Sequence, residues 1–175
     1  NGEVLYQYDS QKEKILNENL TFILNEMLTY TYDKAFIGYN YPTVISLLPK
    51  ISHKYSIKTG TTDTDMWIVG YNKNAVLSIW NGYDNNKKID TGEHNYHKNI
   101  WIDTMENYLK DKDNSWYDIP NDVVGTLVNP ITGETAKEGD KNTKIFYFLK
   151  GTEPSYGTKD FETVFKEENE KKFAS

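Results

Sequence analysis

At 175 residues the chain fits a single domain, since one hydrophobic core typically serves about 100–200 residues. A formal net charge of −6 with no basic cluster argues against a nucleic-acid partner. Cysteine is absent, which excludes a disulfide scaffold, a thiol nucleophile and Cys-ligated zinc. All twenty cations are lysine, a bias of coding rather than of binding. The hydrophobic share is only 37%, but 14 Tyr, 7 Phe and 4 Trp supply large buriable surfaces, so the chain reads as globular. No apolar run approaches the about 18–20 residues of a membrane span, and no signal peptide opens the chain.

In chain order, Val4–Tyr8 and Lys14–Leu16 have the composition of two short strands around a polar turn. A chain that opens on such a hairpin is expected to be part of something longer. Asn17 is well placed as an N-cap. The residues Leu20, Ile23, Leu24, Met27 and Leu28 follow at helical spacing, one apolar stripe expected to be buried. That helix should end near Tyr32. Residues 33–53, with Gly38, Pro42 and Pro49, read as loop with one helical turn at Val44–Leu48.

Three strand candidates come next: Lys54–Thr62, Met66–Tyr71 and Ala75–Asn81. The turns between them, Asp63-Thr64-Asp65 and Asn72-Lys73-Asn74, are too short for anything but antiparallel neighbours, so the segment is a meander. Val76-Leu77-Ser78-Ile79-Trp80 is apolar on nearly both faces, the pattern of a strand covered on both sides. After polar loop over Asn85–Lys98, Trp101, Thr104, Met105, Tyr108 and Leu109 mark a second helix ending near Lys112. Val123–Val128 and Lys144–Leu149 are further strand-like runs. Glu162–Ser175 is charged, a frayed end or a short surface helix. The fold class is therefore α+β, helices packed on an antiparallel sheet.

The chemistry is concentrated in Lys58-Thr59-Gly60-Thr61-Thr62. Lys-Thr-Gly alone is a weak signal, and its surroundings give it weight. It lies inside a strand, Asp65-Met66-Trp67-Ile68-Val69-Gly70-Tyr71 opens the next one, and the third ends in Trp80-Asn81-Gly82-Tyr83-Asp84. This arrangement resembles the penicilloyl-serine transferases, and in particular the C-terminal half of the transpeptidase domain of class A (bifunctional) penicillin-binding proteins. The resemblance runs from the Asn1-Gly2-Glu3-Val4 segment to about Gly157, with 158–175 left as a charged tail. It implies a β-lactamase/transpeptidase-like fold, incomplete in this chain.

A glycine in the middle of an edge strand lets another backbone come close, so a peptide can add as an extra strand. The resemblance implies substrate binding by Thr59, Gly60, Thr61 and Thr62, with the Thr59 and Thr61 hydroxyls on the carboxylate of an acyl donor or a β-lactam. It also implies that the Thr61 N–H is one of two oxyanion-hole donors, and that Lys58 keeps the site electropositive and holds the proton-return network. The same resemblance implies a D,D-transpeptidase acting on peptidoglycan stem peptides, acylated by β-lactams, anchored at the extracytoplasmic face of the cell membrane. Neither a cofactor nor a metal is implied.

The family's Ser-x-x-Lys and Ser-x-Asn motifs are missing. Ser10, Ser46, Ser52, Ser56, Ser78, Ser115 and Ser155 have neither a Lys three residues on nor an Asn two residues on. The nucleophile must then come from an N-terminal part of the same protein, a partner this chain needs. Two further departures stand out. Ile57 occupies the place before the Lys where the family often has Gly, and the Asp63–Asp65 turn is shorter than in many members.

Other readings compete less well. Glu93, His94 and His97 could face one helix side as metal ligands, but their Asn- and Lys-rich surroundings read as loop. His53 reads as a surface residue, Asp63 and Asp65 as turn and capping residues rather than an acid–base pair, and most Tyr and Trp as core. A serine β-lactamase or carboxypeptidase of the same fold, or a non-catalytic wall-binding scaffold, remain the alternatives.

Overall fold

A computed structural model describes residues 2–9, 13–137 and 140–154. Asn17 starts helix α1 (Glu18–Thr29) as its sequence suggests: its Oδ1 accepts from the amides of Asn19 at 2.9 Å and Leu20 at 3.2 Å. A 3-10 turn over Tyr30–Tyr32 finishes the helix, and further 3-10 segments cover Lys34–Phe36 and Ile45–Lys50. The meander follows as strands β1 (Ser56–Thr61), β2 (Asp65–Tyr71) and β3 (Val76–Gly82), antiparallel in the order β1-β2-β3. Helix α2 (Tyr96–Leu109) packs on one face of this sheet. The remaining strands, β4 (Val123–Val128) and β5 (Lys144–Leu149), do not form an extended tail: they pair with each other as a second, two-stranded sheet.

The core lies between the meander and α2. Ile57 and Ile68 from the sheet meet Trp101, Ile102, Met105 and Leu109 from the helix, closed at one end by Val44, Leu47 and Tyr55. The Trp101 indole is fully buried, stands edge-on to Tyr55 at 5.1 Å and donates to the Leu77 carbonyl at 3.0 Å. This satisfies its one polar atom and fixes the helix over the strand. Gly70 is required by the same residue: a Cβ there would stand 2.2 Å from Trp101 Cζ2.

Several expectations change. Helix α2 begins at Tyr96, inside the segment read as loop, and its buried stripe is His97, Trp101, Ile102, Met105 and Leu109, while Thr104 and Tyr108 face outward. The expected apolar stripe of α1 is turned the other way: Leu20, Leu24 and Met27 are exposed, and the buried residues are Phe22, Asn25, Glu26 and Thr29. Specific polar contacts hold that face down. Asn25 Oδ1 accepts from Tyr71 OH at 2.7 Å, its carbonyl accepts from Ser56 Oγ at 3.0 Å, and Glu26 binds Lys54 Nζ at 2.6 and 2.8 Å. Phe22 meets Tyr147 of β5 edge-on at 5.1 Å, so α1 is held between the two sheets.

The strand β3 is covered on one face only, with Val76, Ser78 and Trp80 on the open side. Val4–Tyr8 and Lys14–Leu16 form no strands. An isolated two-stranded ribbon is marginal unless a third strand or a helix covers it, and Val4, Leu5, Tyr6, Tyr8, Ile15 and Leu16 are all exposed. Exposure of Trp67, Trp80, Tyr96 and Tyr108 also limits the expectation that the aromatics are core. The boundary after Gly157 and the Glu162–Ser175 end lie outside the described residues.

A candidate active-site strand

Strand β1 carries the Lys-Thr-Gly motif along an edge: among the described residues β2 is its one strand neighbour. The register pairs Lys58 with Val69, Thr59 with Ile68, Gly60 with Trp67 and Thr61 with Met66. Since side chains alternate across a strand, Ile57, Thr59 and Thr61 share the face that looks toward α2, and Lys58 and Gly60 share the other. The two threonines thus lie on one face. The Lys58 ammonium bends back to the Thr59 carbonyl at 2.5 Å. Among the described residues nothing demands glycine at 60, because an added Cβ would meet only Trp67 Cβ at 3.6 Å, ordinary contact.

The turn after β1 is built by its own side chains. Thr62 Oγ1 accepts from the amides of Asp65 at 2.9 Å and Thr64 at 3.2 Å, and Thr62 N donates to Asp65 O at 2.9 Å. Asp65 in turn accepts from Thr64 Oγ1 at 2.7 Å and from Trp80 Nε1 at 2.9 Å. The hydrogen bonds from Thr64 first, then Trp80, hold its carboxyl below the usual range. Asp63 pairs instead with Lys88 at 2.9 Å, and that hydrogen bond and charge lower its pKa as well. The two carboxylates therefore serve structure and a surface ion pair, the turn role read from the sequence.

At the other end of β1 a cluster with no local sequence signature fixes the strand onto α2. Glu106 accepts from the Ser52 amide at 3.0 Å, from Tyr55 OH at 2.9 Å and from the Ser52 hydroxyl, with His53 Nδ1 at 3.4 Å. His53 is buried rather than on the surface. Burial raises the Glu106 pKa, but the bonds from Ser52, Tyr55 and His53 outweigh it and the carboxyl sits below its ordinary value. Tyr55, desolvated and donating to that carboxylate, is pushed up. Residues 53 and 106 are far apart in sequence and on different element types, so no local spacing could have exposed the link.

Glu93, His94 and His97 do not assemble into a ligand set. Glu93 accepts from Tyr83 OH at 2.8 Å, His94 Nε2 lies 3.3 Å from the Ile89 carbonyl, and His97 is buried in the α2 stripe. Among the described residues no group of three or more His, Cys, Asp or Glu could hold a metal ion. Nor is any described helix long and apolar enough to cross a membrane.

Comparison with known proteins agrees with this architecture. No family model matches the chain. It is 35% identical over 155 residues to penicillin-binding protein 2D of Bacillus subtilis, a match that takes in 88% of this chain and 22% of that protein. It is 36% identical over 86 residues to penicillin-binding protein 1A of Pseudomonas aeruginosa, covering 47% of this chain and 10% of the relative. Among solved structures, penicillin-binding protein 1A from Haemophilus influenzae superposes with a TM-score of 0.68 at 25% identity, over 83% of this chain and 22% of that one. The chain thus spans about a fifth of the length of the Bacillus relative. Its homologues are penicillin-binding proteins, and this chain, with their transpeptidase-like α+β fold, corresponds to one portion of a class A member.

Proposed function

We propose that this chain is the Lys-Thr-Gly wall of a serine D,D-transpeptidase site, spanning residues 1–157 of the given sequence, with 158–175 as an appended charged tail. In this reading the nucleophilic serine and the Ser-x-Asn motif belong to a part of the protein outside this sequence. A stem peptide of peptidoglycan adds along the open edge of β1, and its terminal carboxylate is received by the hydroxyls of Thr59 and Thr61. The Thr61 N–H donates to the oxyanion formed when the serine attacks the scissile carbonyl; one such donor is worth on the order of 10²–10³ in rate. Lys58 supplies positive potential and, through its hydrogen bonds, a route for the proton to the leaving group. β-Lactams acylate the same serine, and the working protein sits at the extracytoplasmic face of the membrane.

The observation that carries this reading is the pairing of an open edge with a glycine that the chain's own packing does not require. A Gly costs strand stability, so its presence at 60 is explained by something that approaches from outside. Penicillin binding in the names of the relatives supplies the chemistry of what approaches. The test uses the full-length protein and a fluorescent penicillin. A covalent adduct is expected, and Thr61→Val should slow its formation about tenfold without lowering the melting temperature, as expected for loss of one hydrogen bond to a charged group. Absence of any adduct would leave a non-catalytic wall-binding scaffold as the better reading.

A further inference from the structure

Beneath the end of β1, on the face shared by Thr59 and Thr61, a cavity of about 380 Å³ opens between the strand and the start of α2. Thr61, Thr91, His94, Asn95, His97 and Lys98 line it over a floor of Met66. None of these side chains is a carboxylate, while one is a lysine and two are histidines. Three observations converge on an anion. The N-terminus of the 14-residue helix α2 opens here with no side chain capping it, leaving first-turn N–H groups and the positive end of the dipole toward the cavity. His97 is 1% exposed, and neither of its ring nitrogens has a hydrogen-bond partner among the described residues, a rare condition for a buried polar group. Lys98 lines the cavity and is partly buried, and its ammonium donates to the Thr43 carbonyl at 2.9 Å.

We infer that this cavity is a carboxylate subsite: Lys98 and the α2 N-terminus, with His97 in its wall, complete the binding of the substrate carboxylate that Thr61 begins. The inference rests on the transpeptidase reading above, and it assigns to α2 a share of substrate specificity that the motif alone does not contain. The threonine hydroxyls are neutral donors, whereas a half-buried ammonium beside a helix N-terminus supplies the countercharge and is less screened than a surface lysine. Burial lowers the pKa of Lys98, and burial followed by the charges of Lys98 and His94 lowers that of His97. His97 is thereby kept neutral, with one donor and one acceptor nitrogen. A bound carboxylate would stabilise the ammonium and accept from the imidazole N–H.

The test compares acylation of the full-length protein by benzylpenicillin and by its methyl ester, which lacks the carboxylate charge. Lys98→Met is expected to slow acylation by the acid on the order of 10-fold and to leave the ester rate unchanged. Lys98→Arg should restore most of the preference for the acid. His97→Gln, which keeps a donor, should lose less than His97→Phe. Equal slowing of acid and ester by Lys98→Met would mean a structural role and overturn the subsite. No slowing of either would overturn it too. If the unsubstituted protein forms no adduct at all, the transpeptidase reading falls and takes the subsite with it; retained acylation with unchanged selectivity in Lys98→Met refutes the subsite alone.

Discussion

Two glycines of the meander illustrate how differently one residue type can be constrained. Gly70 is fixed from within, since a Cβ there would stand 2.2 Å from the Trp101 ring, and that indole is fully buried and tied to Leu77. Gly70→Ala must move the indole or the strand, and such overpacking typically costs about 1–3 kcal/mol. Gly60 meets no such obstacle. Gly60→Ala should leave stability unchanged or raise it by about 0.5 kcal/mol through the unfolded chain, while slowing penicillin acylation of the full-length protein. Urea midpoints of both variants, read beside the labelling rate, separate a packing glycine from one kept for an incoming strand. A Gly60→Ala variant that unfolds as readily as Gly70→Ala would contradict that assignment.

At the scale of elements, the sequence disclosed kind and order better than orientation. The meander was legible because two three-residue turns of Asp, Thr, Asn and Lys leave no other pairing, and the register follows from them. The start of α1 was legible because an N-cap is a local interaction. Its buried face was not. Periodicity locates an apolar stripe on a helix, but what covers that stripe is decided by tertiary contacts, and here Asn25 and Glu26 bind the sheet, Lys54 and Trp116 by polar contacts. Likewise the Lys-Thr-Gly strand was legible from its flanking residues, whereas the cavity beneath Thr61 joins β1, β2 and the segment that leads into α2, which are distant in sequence. The inverted helix makes a quantitative prediction. Phe22→Ala, which empties the contact with Tyr147, should cost about 3–5 kcal/mol. Leu24→Ser, on the exposed stripe, should stay within about 0.5 kcal/mol. Thermal melts of this 175-residue chain would reverse that order if the apolar stripe were the buried one.

For the whole molecule, the polar interior sets the response to acid. Among the groups that titrate differently in the folded and unfolded chain, two buried or half-buried ones, His97 and Glu106, destabilise the fold as pH falls. His97 has its pKa lowered below the ordinary 6.5 by burial, so on acidification the unfolded chain takes up a proton first. Stability therefore declines as pH drops below about 6.5, until the folded-state pKa is passed. Glu106 has its pKa lowered below the ordinary 4.5, the bonds from Ser52, Tyr55 and His53 outweighing burial. Its contribution is complete above that value and is lost as pH falls through the lower, folded-state one. Two steps of loss should then appear in urea midpoints measured from about pH 7.5 down to about pH 3.5. His97→Gln should remove the upper step and leave the lower. Glu106→Gln should do the reverse, at the further expense of a weaker acceptor for Tyr55 OH and the Ser52 amide. A single step retained unchanged in both variants would mean that surface carboxylates, not this buried pair of sites, govern acid unfolding. The two sites lie at opposite ends of α2, His97 in its first turn and Glu106 in its last. The pH profile therefore reports separately on the end beside the Lys-Thr-Gly strand terminus and on the end that anchors the strand's beginning.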